Sequence, residues 1–268
     1  MAGSILVPLY VYPSGGAWEP VFAMATSFPQ VQFTAVINVH DGPGYGALPD
    51  PEYSHAITTL NGFSNVRTVG YVATTWCERD LSSALDDVAA YSFWGEYQDS
   101  LAIDGIFVDE TPTQYSQAFD SYLQTIAQAV HASDGLKEGY IVHNPGALPD
   151  PQFFGDSTSQ DNHSLRPDLT VVFEDSYSSW IARHIDLTDA TKRYDRTKLA
   201  VVLHSVPDLS IVETTTTLKE LLSVGHSVWL TSSDNYTNLD AHFSVLLDCL
   251  VTLLMLTRRE ANVCCSAE

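Results

Sequence analysis

Positive charge is what this chain has least of: 12 Lys and Arg stand against 33 Asp and Glu, a formal net charge of −21. A field of that sign repels phosphate backbones and anionic lipid before contact, so nucleic acid and membrane surfaces fit poorly as partners. A neutral or cationic ligand fits better. Cysteine is sparse too. Cys77, Cys249, Cys264 and Cys265 show neither C-x-x-C spacing nor a paired-histidine pattern, which argues against a zinc site and leaves open a disulfide from Cys249 to the tail pair. Long apolar runs are missing. The longest, Val245 to Leu256, is interrupted by Asp248 and falls short of the ~20 residues a membrane span needs, so it reads as a buried helix. Met1-Ala2-Gly3-Ser4 runs straight into a strand-like segment, with no basic stretch or cleavable apolar region ahead of it. Phosphate-cradling and serine-nucleophile motifs are also missing. Asn38 to Gly44 is turn-rich but contains no G-x-G-x-x-G and no following Lys-Ser/Thr, and no G-x-S-x-G elbow occurs anywhere. No cofactor is called for, and hydrolysis through carboxylates survives this elimination best.

What is present is apolar material in a regular rhythm. Of 268 residues 45% are hydrophobic and 11% aromatic, enough to bury the core of one large domain. Strands are expected near Ile5–Tyr12, Gln32–Val39, Val66–Thr74, Gly105–Asp109, Tyr140–His143, Leu169–Glu174, Leu199–His204 and Ser227–Leu230. Their near-continuous apolar character suits parallel strands buried on both faces, and most are followed by a polar loop and a helical period. Eight such units predict an α/β fold with a single (β/α)8 TIM-type barrel over residues 1–268. Thr111-Pro112 is expected to open a helix running through Val130, and Asn238-Leu239 the last one. Pro8 sits inside the first strand, where a local bulge would accommodate it. The octapeptide from Gly46 to Tyr53 (GALPDPEY) recurs from Gly146 to Phe153 (GALPDPQF), and Asp before Pro reads in both as a helix entry. The loop from Gly155 to Pro167 is the longest without periodicity, and Asn162-His163-Ser164 and Asn235-Tyr236-Thr237 are glycosylation-type triplets.

In a barrel of this kind the reactive residues stand at the C-terminal ends of the strands. There the sequence puts acids: Asp109 and Glu110 end the fourth strand, Glu174 and Asp175 the sixth. A lone acid at such a junction is ordinarily a helix cap. Two carboxylates on different strands facing one cleft are the minimal machinery of glycoside hydrolysis, one protonating the leaving oxygen and the other stabilising or attacking the oxocarbenium-like carbon. Pleating sends Asp109 and Glu110 to different sides, so one of the two points at the barrel axis. Tyr10, Tyr12, Tyr71, Trp76, Tyr177 and Trp229 fall near the same rim, where aromatic rings stack on sugar faces. His40, His143 and His204 follow strands two, five and seven. Without i, i+4 pairing they favour hydrogen bonds to substrate hydroxyls over a metal site.

Taken in order, Leu6-Val7-Pro8-Leu9-Tyr10-Val11-Tyr12-Pro13, Asn38 to Gly44, Gly70-Tyr71-Val72-Ala73-Thr74, Gly105 to Glu110, Asn144-Pro145-Gly146 and Val172-Phe173-Glu174 resemble the spherulation-specific family 4, or spherulin 4-like, proteins. The resemblance spans nearly the whole chain and includes Pro8. It implies a (β/α)8 glycoside hydrolase similar to the fungal enzymes that cleave galactosaminogalactan, placed outside the cell or at its surface. It carries the functional carboxylates onto Asp109, Glu110 and Glu174. Asp109 is then expected as nucleophile or charge stabiliser, Glu174 as general acid/base and Glu110 as an orienting group, the first two roles being interchangeable. Tyr10, Tyr12, Asn38, His40, Asp41, Tyr71, His143, Asn144, His204 and Trp229 are the expected substrate contacts. The family usually has Pro where Val39 stands and a small residue where Asp41 stands, a departure that touches substrate choice. Two other readings remain: a non-catalytic carbohydrate-binding cell-surface protein, and a glycosidase of another amino-sugar polymer.

Overall fold

The computed structural model describes residues 3–155, 165–236, 245 and 248–253. Eight strands, β1 (Ser4–Leu9), β2 (Gln32–Ile37), β3 (Val66–Ala73), β4 (Gly105–Asp109), β5 (Tyr140–Asn144), β6 (Leu169–Ser176), β7 (Leu199–His204) and β8 (Ser227–Leu230), close a parallel barrel in chain order. Helices α1 (Glu19–Ser27), α2 (Pro51–Leu60), α3 (Leu81–Tyr97), α4 (Gln117–His131), α5 (Tyr177–Thr191) and α6 (Ile211–Val224) fall between the strands. The β5–β6 connection departs from the pattern, its described part holding only a 3₁₀ turn, Pro151–Phe154. The expected last helix opening at Asn238, the Asn162 triplet and the Cys264–Cys265 pair lie outside the described residues.

The strands are buried on both faces because the helices cover them. Trp18, Trp94 and Trp180 are each 1% exposed or less and belong to that cover. Tyr91 of α3 lies so close to β3 that a Cβ on Gly70 would come within 2.7 Å of its ring, and its hydroxyl donates to the carbonyls of Ile37 and Tyr71. Only a residue without a side chain admits that approach.

Three local expectations change. No register shift occurs at Pro8, which pairs with Val36 in an unbroken ladder. The edge of β1 facing β8 is paired only at Ser4 and Ile5, and beyond them a residue lacking an N–H stands without a lost bond on that side. The fourth helix opens at Gln117, not at Thr111. The Thr111 N–H donates to the Asn144 carbonyl and the Tyr115 N–H to Asp150, so this stretch is tied to the end of β5 until Ser116 caps the Phe119 N–H. Of the two octapeptides, the first starts a ten-residue helix capped by Asp50, whereas the second gives only the 3₁₀ turn, its Asp150 being engaged with Tyr115.

Candidate active site

Registered neighbours in a sheet share a face, so Ala73, Asp109 and Asn144 project together, as do Glu174, Val202 and Trp229. Asn144 of the first row and Glu174 of the second meet at the barrel mouth. The Asn144 side-chain amide donates to Asp109 Oδ1 at 2.7 Å and to Glu174 Oε2 at 2.6 Å, while its Oδ1 accepts the Gly146 N–H at 3.0 Å. Gly146 takes a left-handed φ of 66°, and its carbonyl accepts the Glu174 N–H at 2.9 Å. The tight turn after β5 therefore orients the asparagine and anchors the backbone of the second acid.

Glu174 owes its direction to an irregularity. The β6–β7 register shifts between Val171 and Phe173, a bulge that inserts one extra residue. Phe173 consequently packs outward, edge-on to Trp180 at 5.3 Å, and Glu174 turns into the mouth. Asp109, at the end of a regular strand, needs no such device.

Aromatic rings wall the pair. Tyr10 meets Tyr71 at 5.7 Å and Tyr236 at 6.0 Å, both edge-to-face, and His204 meets Tyr236 at 6.4 Å. These rings help to shield Asp109 from water. Burial pushes the Asp109 carboxyl up to about 6, the Glu174 charge pushes the same way, and hydrogen bonds from Tyr71 and Asn144 hold it back. The hydroxyls of Tyr71 and Tyr236 are driven well above the usual phenol range by burial first, then by Asp109 and Glu174 respectively. They remain neutral donors.

Of the residues expected to touch substrate, Tyr10, Tyr71, Asn144 and His204 surround the carboxylates. Asp41 is near enough for its charge to act on Tyr71, and Asn38 Oδ1 accepts the Gly42 N–H at 3.2 Å to close the turn that holds Asp41 at φ 48°. Tyr12 and His40 stand further out. Tyr12 donates to Asp50 at 3.0 Å, and His40 is hydrogen-bonded to the exposed Tyr45 at 2.5 Å. Two of the expected contacts do not reach the mouth. His143 precedes Asn144, so the pleat turns it outward into a small cavity with Leu123, Pro145, Pro149 and Phe153. Burial, aided by Arg166, pushes its imidazole down to about 3, keeping it neutral. Trp229 is 2% exposed and forms part of the barrel interior, with no ring face open for stacking. Glu110 contributes visibly through its backbone: at φ 53° its carbonyl accepts the Trp76 N–H at 2.7 Å and the Thr74 hydroxyl at 2.9 Å.

Tyr236 is the site residue that sequence reasoning missed. The available signal was its place, an aromatic in the polar segment after β8, at the same end of the barrel as both acids. Among the described residues no three His, Cys, Asp or Glu side chains gather in a metal-binding group.

Fold and site together define a class: a (β/α)8 barrel whose mouth carries two carboxylates on a shared amide inside an aromatic wall. The chain belongs to the spherulation-specific family 4, whose model matches residues 4–250. Among solved structures it is similar to Aspergillus clavatus Sph3 in complex with GalNAc, at 36% identity and a TM-score of 0.86, covering 93% of this chain and 97% of that one. A Xanthomonas albilineans dihydropteroate synthase aligns over 96% of this chain and 92% of its own, at 10% identity and a TM-score of 0.38, a likeness too slight to bear on function. No curated protein sequence matches the chain.

Proposed function

We propose that this protein is an endo-acting glycosidase of an extracellular or cell-surface polysaccharide containing α-linked N-acetylgalactosamine or galactosamine, as in galactosaminogalactan. The observation that carries the reading is the single Asn144 amide between Asp109 and Glu174. Two oxygens bound to one nitrogen at 2.7 and 2.6 Å lie no further apart than the sum of those distances. That bound brings the facing oxygens nearer than the ~6.5–9.5 Å carboxyl spacing that leaves room for an attacking water, and so favours the closer, ~5–5.5 Å arrangement of retaining glycosidases. The GalNAc bound to Sph3 supports the choice of sugar.

The environments of the two acids divide the work. Asp109, held protonated to about pH 6, donates its proton to the glycosidic oxygen as the C1–O bond breaks. The Glu174 carboxylate attacks C1 from the opposite face and forms a glycosyl-enzyme ester. Asp109, now ionised, takes a proton from water, which attacks C1, releases Glu174 and restores the starting state. Of the two assignments the sequence leaves open, the burial around Asp109 favours Asp109 as proton donor and Glu174 as nucleophile. Tyr71 and Tyr236, as neutral hydroxyls, donate to the carboxylates or to the sugar.

The test is release of reducing ends and oligosaccharides from purified galactosaminogalactan by the wild type, Asp109→Asn and Glu174→Gln, with the folding of each verified. Products from the wild type alone support the reading. Binding without products from any of the three would make the barrel a carbohydrate-binding protein.

A further inference from the structure

The five tryptophans divide four to one. Trp18, Trp94, Trp180 and Trp229 are each 2% exposed or less, whereas Trp76 is 54% exposed. It stands in the loop after β3, at the same end of the barrel as Asp109. An indole left in water gives up the burial that its large apolar surface would otherwise gain.

The backbone beneath it is costly as well. Thr75, Trp76 and Cys77 have φ values of 48°, 54° and 65°, three successive non-glycine residues in the left-handed region. L-residues visit that region singly and seldom in series. The turn persists because it is tied down. Trp76 N–H donates to the Glu110 carbonyl at 2.7 Å, and the Thr74 hydroxyl donates to the carbonyls of Asp109 and Glu110 at 2.8 and 2.9 Å. Arg79 donates from its guanidinium to the Ala73 carbonyl at 2.9 Å and to Asp87 at 2.7 Å. The Cys77 thiol is pushed up to about 12 by its burial, so it stays protonated and inert below the turn. A strained, strongly anchored turn thus holds a large exposed ring beside the strand end that presents the buried acid.

We propose that Trp76 is the stacking platform of an outer subsite, binding a galacto-configured pyranose of the polymer beyond the ring held at Asp109 and Glu174. Such a sugar presents its C3, C4 and C5 hydrogens as one apolar face, which matches a flat indole. The inference rests on the glycosidase reading and adds to it where the chain extends and which side chain grips it.

Trp76 is also its own probe, since the four other indoles are shielded from a collisional quencher. In the Asp109→Asn protein, acrylamide quenching is measured with N-acetylgalactosamine monosaccharide, with its α-linked oligomers and with the polymer, and binding is measured independently by calorimetry. Long oligomers and polymer are expected to protect the accessible indole, and the monosaccharide is not. Trp76→Ala should weaken long-oligomer binding about tenfold and leave the monosaccharide unchanged, with Trp76→Phe recovering most of the loss. Calorimetric binding of long oligomers with unchanged quenching and an unchanged Trp76→Ala affinity would overturn the subsite and leave the glycosidase reading standing. Absence of any binding in calorimetry would overturn both.

Discussion

The ends of β4 and β6 carry the same two residue types in opposite order, Asp109-Glu110 and Glu174-Asp175, and use them differently. In each pair one acid shares the Asn144 amide and its neighbour does not. Glu110 turns left-handed and lends its carbonyl to the Trp76 turn, while Asp175 accepts the Ser176 N–H at 2.6 Å and faces Arg183 at 3.6 Å at the start of α5. Their protonation is biased in opposite senses. Burial raises Asp109; for Asp175 desolvation is the largest single influence and also raises it, but hydrogen bonds from Ser176 and Ser179 together with Arg183 outweigh it and hold this carboxyl below the usual carboxylate range. Position relative to the pleat, and not the kind of acid, decides which carboxylate faces the mouth.

Replacing the two inward acids should have the largest effect. Asp109→Asn and Glu174→Gln are each expected to lower kcat by about 10²–10⁴-fold in a reducing-end assay, and the double variant by little more than either, because they act as a unit. Comparable loss in Asp175→Asn would break the contrast between the partners.

The pH profile comes next. With Asp109 as proton donor, wild-type activity should fall as pH rises through about 6. Tyr71→Phe and Asn144→Ala each remove a hydrogen bond that favours the ionised form, so both should move that limb to higher pH while reducing kcat. An unmoved limb in both would mean that the titrating group is not Asp109.

Stability sharpens the comparison further, with the signs opposed. A raised carboxyl contributes stability that is present below its ordinary value and lost as pH rises through its folded value, so Asp109 costs stability between pH 3.8 and about 6 and above. Asp109→Asn should gain on wild type in denaturant midpoint as pH rises across that window. A depressed carboxyl contributes stability above its ordinary value that is lost as pH falls through the folded one, so Asp175→Asn should be slightly less stable at neutral pH and equal to wild type in acid. Parallel behaviour of the two would contradict the assigned environments.

The smallest effect concerns the −21 charge. Activity on deacetylated, cationic polymer should decline with added salt and hardly change on the acetylated polymer. Salt-insensitive rates on both would remove attraction from the account.

Much of this was legible in the chain itself, for identifiable reasons. Buried parallel strands read as apolar runs, so the limits of β4, β7 and β8 emerge residue for residue, and with them the barrel. Asp109 follows directly, because it ends a regular strand. Glu174 was findable by type and place, but its inward direction depends on the bulge at Val172, which no periodicity announces. The same limit separates Asn144 from His143, adjacent polar residues of which the pleat sends one to the mouth and the other to a small cavity outside the barrel. Trp229 lies buried below the mouth, and depth along the barrel axis is invisible in one dimension. The paired octapeptides show how tertiary bonds decide local structure: Asp50 caps its own helix, whereas Asp150 is captured by the Tyr115 N–H. Tyr236 reaches the site from a connecting segment, where no pattern fixes direction.

Retention of configuration requires two strand-end carboxylates close enough to act as acid and nucleophile on one sugar. Proton NMR of the first products released from an α-linked N-acetylgalactosamine oligomer, taken before mutarotation, reads this directly. An α-anomer, with configuration retained, is the predicted result; a β-anomer would show a water standing between the carboxylates and would contradict it.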